Sequence, residues 1–186
     1  AWAVGDEGIF LRWDGNHDYF SQGEATAGWA FAPDDLWLLH RRSLLHYDGK
    51  AWQHHDLLSD DCARNVECFF DLWGSGPNDL WVARAKDLVH WDGHSFSTVT
   101  LAFDSMPRKL WGTRRDDIWL LDTDTAYSGT DQIWHFDGST WTRVAGPVSD
   151  EGVRKFWGQD LWATRPDDVW LIGTSFQGQP NIFHWD

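Results

Sequence analysis

Four histidines recur in one local setting: His46, His90, His135 and His184 each stand two residues before an aspartate, as in His90-Trp91-Asp92. Imidazoles beside carboxylates are the raw material of metal sites and of general acid–base chemistry, so they are weighed first. Their placement argues for something plainer. Residues two apart on a strand share a face, and one copy per repeat is too dispersed to converge on a single ion or substrate. A repeated structural hydrogen bond from side chain to backbone is the expectation. His90 and His94 are in the wrong conformation for a helical zinc pair, and His54 and His55 point to opposite faces of an extended chain.

Other reactive groups carry little chemistry. Cys62 and Cys68, in Asp-Asp-Cys-Ala-Arg-Asn-Val-Glu-Cys, could close a short disulfide loop in an oxidising compartment or stay reduced, and the four-ligand zinc spacing has no second half. Acid pairs such as Asp60-Asp61 and Asp116-Asp117 could serve glycoside hydrolysis in principle, but the latter is locked into a repeated turn. No Gly-x-Ser-x-Gly, phosphate-binding Gly-rich loop or His-Glu-x-x-His occurs. The chain is therefore expected to bind rather than to catalyse, with no catalytic residue, metal or cofactor assigned. Calcium is a weak candidate at Asp122, Asp124 and Asp131, whose spacing misses the EF-hand pattern.

Composition narrows the partners. Asp and Glu total 29 against 15 Lys and Arg, a formal charge of −14, which would repel a phosphate backbone and removes the main term in nucleic-acid binding. No apolar run approaches the roughly 20 residues that a membrane-spanning helix needs. At 186 residues the chain suits one core. It opens on Ala1-Trp2-Ala3-Val4-Gly5 without an initiating Met or signal segment, and is expected to be an excerpt of a longer ring or a processed piece.

The sixteen tryptophans set the architecture. Trp29 and Trp37, Trp73 and Trp81, Trp111 and Trp119, and Trp162 and Trp170 are all eight residues apart. Between the members of each pair lies a turn cluster: Pro33-Asp34-Asp35, Pro77-Asn78-Asp79, Arg115-Asp116-Asp117 and Pro166-Asp167-Asp168. Each pair thus predicts a hairpin of strands A and B. Downstream comes a third apolar run ending in an aromatic and Asp, usually Asp-Gly, as in Leu88-Val89-His90-Trp91-Asp92-Gly93, with Leu11-Arg12-Trp13-Asp14-Gly15 as a fifth copy. Asp-Gly supplies the positive φ angles of a tight primed turn, so strand D should follow at Trp52, Phe96 and Trp141.

Four antiparallel strands per repeat make a propeller blade; helical repeats are excluded by the punctuation, and a solenoid's rungs would be shorter and more uniform. The expected fold is an all-β propeller, with blade pieces at 1–26, 27–65, 66–104, 105–152 and 153–186. The first should supply strands B, C and D, the last A, B and C.

The stretch Leu72-Trp73-Gly74-Ser75-Gly76-Pro77-Asn78-Asp79-Leu80-Trp81 followed by His90-Trp91-Asp92-Gly93 resembles the Trp-rich propeller repeats of secreted bacterial proteins. It is distantly similar to tectonin-type lectin repeats, and the likeness covers nearly the whole chain. It implies a propeller fold, and the tectonin side implies binding of sugar or lipopolysaccharide. Blade two departs from the pattern with Trp29-Ala30-Phe31 in place of Trp-Gly.

Length variation is one-sided. The A–B and C–D turns barely change, whereas the aromatic-to-aromatic span from B to C is ten residues in blades two and three, seventeen from Trp119 to Phe136 and fifteen from Trp170 to Trp185. B–C and D–A links emerge on the same face of an up-and-down blade, so one face should be uniform and the other should carry the loops. On that variable face fall Arg41, Arg42, Arg84 and Lys86 in short links, and Asp122, Asp124, Tyr127, Asp131, Phe176, Gln177 and Gln179 in long ones. Aromatic faces stack on sugar C–H groups while amides and carboxylates bind hydroxyls, so a carbohydrate is the expected ligand, with a protein partner second. A secreted or cell-envelope location is the matching expectation.

Overall fold

The structure, a computed structural model, describes residues 2–4, 9–13, 17–21, 25–40, 43–57, 69–101, 105–124, 131–144, 156–175 and 178–185, with side chains described from residue 25 onward except at Ser105 and Asp124. Every regular element among them is a strand. Blade one contains β1 (Trp2–Val4), β2 (Ile9–Trp13) and β3 (His17–Ser21). Blade two contains β4 (Ala25–Ala32), β5 (Asp35–His40), β6 (Ser43–Tyr47) and β7 (Trp52–His55). Blade three contains β8 (Phe69–Gly76), β9 (Asp79–Arg84), β10 (Asp87–Trp91) and β11 (Phe96–Thr100). Blade four contains β12 (Ser105–Arg114), β13 (Asp117–Asp124), β14 (Gln132–Phe136) and β15 (Trp141–Val144). Blade five contains β16 (Phe156–Arg165), β17 (Asp168–Ser175) and β18 (Pro180–Trp185). Neighbouring strands in each sheet are antiparallel, and the strand content of every blade follows the Trp and Asp punctuation.

The two turns that close blades two, three and four have different chemistry. In the C–D turns the glycine carries the positive φ, +85° at Gly49, +93° at Gly93 and +91° at Gly138, a conformation an L side chain resists. The preceding aspartate supplies hydrogen bonds: Asp92 Oδ1 accepts from the N–H groups of His94 and Ser95, both at 2.8 Å, and Asp48 and Asp137 repeat the pattern. These bonds favour the carboxylate, so Asp48 and Asp92 titrate below the ordinary range and Asp137 falls to about 2, helped most by the Ser139 hydroxyl. In the A–B turns two residues, such as Pro77-Asn78, connect the pair Gly76 and Asp79.

Strand A is not a regular ladder. Its register to strand B slips twice in blades two to five, and the second slip leaves Phe31, Ser75, Thr113 or Thr164 unpaired beside the turn. A bulge re-aims the side chain it carries. Here it turns the hydroxyls of Ser75, Thr113 and Thr164 onto Oδ2 of Asp79, Asp117 and Asp168, the first residues of the B strands.

Blades pack face to face. Trp37, Leu39 and Leu44 of blade two meet Leu72, Leu80, Val82 and Val89 of blade three. Trp81, Ala83 and Leu88 meet Leu110, Ile118 and Leu120 of blade four, and Trp119, Leu121 and Ile133 meet Leu161, Val169 and Leu171 of blade five. The same three positions per blade, on strands B and C, make each joint. Burying one such Trp stabilises the stack by about 3 kcal/mol on area alone. Strands A converge inward: Trp29 lies 6.1 Å from Trp73 of the next blade and 5.9 Å from Trp111 of the blade after that, centroid to centroid. Packing thus accounts for most of the tryptophans, while Trp157 and Trp162 of blade five are exposed.

Candidate binding face

The recurring histidines are structural, with a partner other than the expected one. Nε2 of His46, His90, His135 and His184 donates to Oδ1 of Asp35, Asp79, Asp117 and Asp168 at 2.9, 2.7, 2.7 and 2.8 Å. The bond runs to a side chain of the A–B turn, not to backbone. Each imidazole also lies against its blade's second Trp, at 3.9 Å between centroids for Trp37 and His46 and 4.1 Å for Trp170 and His184. In blades three and five that indole N–H donates to the same Oδ1.

The order of groups decides the chemistry. In blades three, four and five the carboxylate sits between hydroxyl and imidazole, so each hydroxyl donates to the carboxylate and the imidazole bonds the carboxylate's other oxygen. Burial works against the Asp79 carboxylate, but the bonds from His90 and Ser75 outweigh it and hold Asp79 below its ordinary range; at Asp168 the bond from Thr164 leads. These networks tie strands A, B and C together at one end of the blade.

That end is the uniform face. A Cβ on Gly49 would lie 2.9 Å from Asp34 Cβ, one on Gly93 2.5 Å from Asn78 Oδ1, and one on Gly138 2.7 Å from Asp116 Cβ. Each C–D turn is therefore pressed on its own A–B turn, and neither can lengthen without parting them.

The opposite face carries the unequal links, and the structure describes their roots. At the root of the long link of blade four, Asp122 is 1% exposed and its Oδ1 accepts from Met106 N–H at 2.6 Å. At the other root Asp131 is 5% exposed; its Oδ2 accepts from Gly158 N–H at 2.7 Å and its own N–H donates to Phe156 C=O at 2.9 Å. The two carboxylates expected as ligands thus hold backbone, one within blade four and one across to blade five. Asp124 ends β13, and Tyr127 lies outside the described residues.

Arg84 is likewise turned inward. Its Nε and Nη2 donate to Asp87 at 2.6 and 2.7 Å, Nη1 to Leu57 C=O at 2.6 Å and Nη2 also to Thr98 at 3.2 Å. One guanidinium joins the B–C turn, strand D and the D–A link of the preceding blade, where a ligand contact was expected. Lys86 is exposed on the same turn. In blade five Gln179 is exposed; its N–H donates to Ser175 Oγ at 3.2 Å and its C=O accepts from Ser175 N–H at 2.8 Å, closing a turn through Gly178 at φ +75°. Arg41, Arg42, Phe176, Gln177, Cys62 and Cys68 lie outside the described residues. Among the described residues no group of three or more His, Cys, Asp or Glu is placed to hold a metal ion, and no helix is long and apolar enough to cross a membrane.

The face is therefore a set of fixed stems. The sequence marked the links but missed the stems, because a buried Asp or Arg that holds backbone has the same letter as one that meets a ligand.

Neither a protein-family model nor a curated protein matches the chain. Among solved structures it is similar to an ancestral GH74 enzyme, with a TM-score of 0.64 at 11% identity over 100% of this chain and 31% of that one. It is similar to the extracellular domain of a one-component system from B. thetaiotaomicron, with a TM-score of 0.58 at 11% identity over 97% of this chain and 27% of that one. It is also similar to the C-terminal WD40 domain of Sif2, with a TM-score of 0.58 at 12% identity over 100% and 54%. The chain spans between about a quarter and just over half of the length of these proteins. Likeness at such identities carries the fold alone, and that fold is the β-propeller.

Proposed function

We propose that the chain is a binding module of an extracytoplasmic protein, non-catalytic, which recognises a carbohydrate through the links of the variable face. The observation that carries the reading is the contrast between the two ends of each blade. One end is locked, turn on turn, at Gly49, Gly93 and Gly138. The other holds links of unequal length on stems anchored by Asp122, Asp131 and Arg84. A rigid scaffold with adaptable connections on one side is the usual arrangement of a recognition surface. The resemblance of the Trp-rich repeats to secreted bacterial propellers and tectonin-type lectins supports the sugar and the location, and similarity to an extracellular domain supports the location alone.

Tyr127, Phe176, Gln177, Gln179 and Asp124 are the side chains assigned to the ligand, with Arg41, Arg42 and Lys86 at the rim. Inequality of the links favours one asymmetric site over several identical ones. It is also the feature that keeps a protein partner as the second reading.

A glycan array probed with the protein tests the proposal. Binding that is lost when residues 125–130 are shortened, with thermal stability retained, supports it; no glycan signal together with recovery of a defined partner by pull-down establishes the second reading. Incubation with polysaccharides should release no product, and release of product would overturn the non-catalytic assignment.

A further inference from the structure

His55 occupies a place that the other complete blades fill with valine. It is the fourth residue of the D strand in blade two, where Leu44 pairs with it; the corresponding pairs are Leu88 with Val99 in blade three and Ile133 with Val144 in blade four. The position belongs to a blade joint. The His55 ring lies 5.5 Å from Trp37 of its own blade, 5.1 Å from Phe96 and 6.2 Å from Trp91 of blade three. Its Nε2 is buried without a hydrogen-bond partner among the described residues. Neutral imidazole can pass for an apolar ring there. A second proton would put a charge among three aromatic rings, with no carboxylate bonded to Nε2 among the described residues.

We propose that His55 makes the joint between blades two and three acid-labile, so that mild acidification opens the outer part of the joint and releases Leu57, at the root of the D–A link, from Arg84. The route to the link is short. Two residues beyond His55, Leu57 C=O is held by Arg84 of blade three at 2.6 Å, the contact that fixes this link on the variable face. The inference stands whatever ligand that face takes.

Charge around the ring favours the neutral form. Among the described residues the titratable groups acting on His55 are His46 on β6 and His54 beside it on β7, both imidazoles, while β5, β10 and β11 present Trp37, Trp91 and Phe96. Burial first, then these two neighbours, hold His55 below the ordinary histidine value of 6.5. Attraction of imidazolium to the aromatic faces offsets part of this. The sign follows from linkage. A histidine whose folded value is depressed contributes stability that is complete above 6.5 and is lost as pH falls through the window below it.

The test is site-resolved titration of the histidine ring protons by NMR, with amide exchange of β7 and β8 corrected for the intrinsic pH effect. His55 should titrate below 6.5, and the opening of β7 should rise several-fold, approaching tenfold, between about pH 7.5 and about pH 5.5. In His55→Val that rise should vanish while the baseline exchange at high pH stays equal or slows. His54→Gln, on the exposed face of the strand, should keep the rise. Titration of His55 at or above 6.5, or an unchanged rise in His55→Val, would overturn the proposal. Because the ring-proton titration uses the unmodified chain, the result stands even if the variant folds poorly.

Discussion

Phe31 of blade two lies over Gly74 of blade three, so close that a Cβ on the glycine would meet Phe31 Cζ well inside van der Waals contact and Asp79 C=O at 2.7 Å. Phe31 occupies the bulge where blades three, four and five place Ser75, Thr113 and Thr164. The aromatic ring fills the space that a side chain on Gly74 would need. Gly74→Ala should therefore destabilise the protein by about 1–3 kcal/mol. Shrinking Phe31 to Ser should relieve part of that penalty, so a double-mutant cycle in urea should give clear positive coupling. Additive effects would mean that the two residues do not share this space.

The carboxylate networks should differ in weight with burial. The Asp117 side chain is 1% exposed and that of Asp168 21%. Replacing Asp117 with Ala leaves Thr113 and His135 without their acceptor in a dry setting and should cost about 3 kcal/mol, and Asp168→Ala, at a solvent-screened site, should cost clearly less. Denaturant midpoints of the two variants measure the difference.

Asp71 predicts a pH effect of unusual sign for a carboxylate. Burial pushes it from 3.8 to about 6, although Lys109 Nζ stands 3.9 Å away and Leu110 N–H donates to it at 3.0 Å. With its folded value raised, the folded state holds the proton more tightly than the unfolded chain. Stability from this group therefore grows as pH falls from about 6 toward 3.8, and is lowest above that window. Asp71→Asn keeps the acceptor for Leu110 and should raise stability at neutral pH by up to about 3 kcal/mol. The gain should disappear near pH 4. Asp79 and Asp168 act oppositely: their lowered values give stability that is present above the ordinary carboxylate range and lost below it. Subtracting the melting curves of variant and parent across pH isolates Asp71.

Arg84 should behave as a structural pin. Arg84→Met removes donors from Asp87, Leu57 and Thr98 at once and should cost about 2–4 kcal/mol, because Asp87 and the Leu57 carbonyl are left unmatched. Arg84→Lys restores charge without the planar fork and should recover less than half of the loss. Thermal melts of the two variants, with amide exchange at Leu57, give both readouts.

Much of the fold was legible because turn chemistry is local. Pro-Asp or Asn-Asp between two tryptophans and Asp-Gly after an aromatic each specify a connection without reference to the rest of the chain, so strand content per blade followed from spacing alone. The bulges were not legible: an extra residue at Ser75 or Thr113 interrupts the period-two alternation by which strands are read, and its purpose shows only when Asp79 or Asp117 stands opposite. The histidine partner was missed for the same reason, since His90 and Asp79 are eleven residues apart in sequence and meet only through pairing of β9 and β10. On the variable face, Asp122, Asp131 and Arg84 looked like ligand groups because a loop-flanking charge reads as solvated until burial is known.

The pressing of Gly49 on Asp34, Gly93 on Asn78 and Gly138 on Asp116 also tells an engineer where to work. Extra residues at those corners would have to break contacts that blades two, three and four repeat, whereas eight residues already separate the clamped roots Asp122 and Asp131. New peptide grafted between those roots would be displayed from an indifferent frame, and the frame should melt at nearly the temperature of the parent.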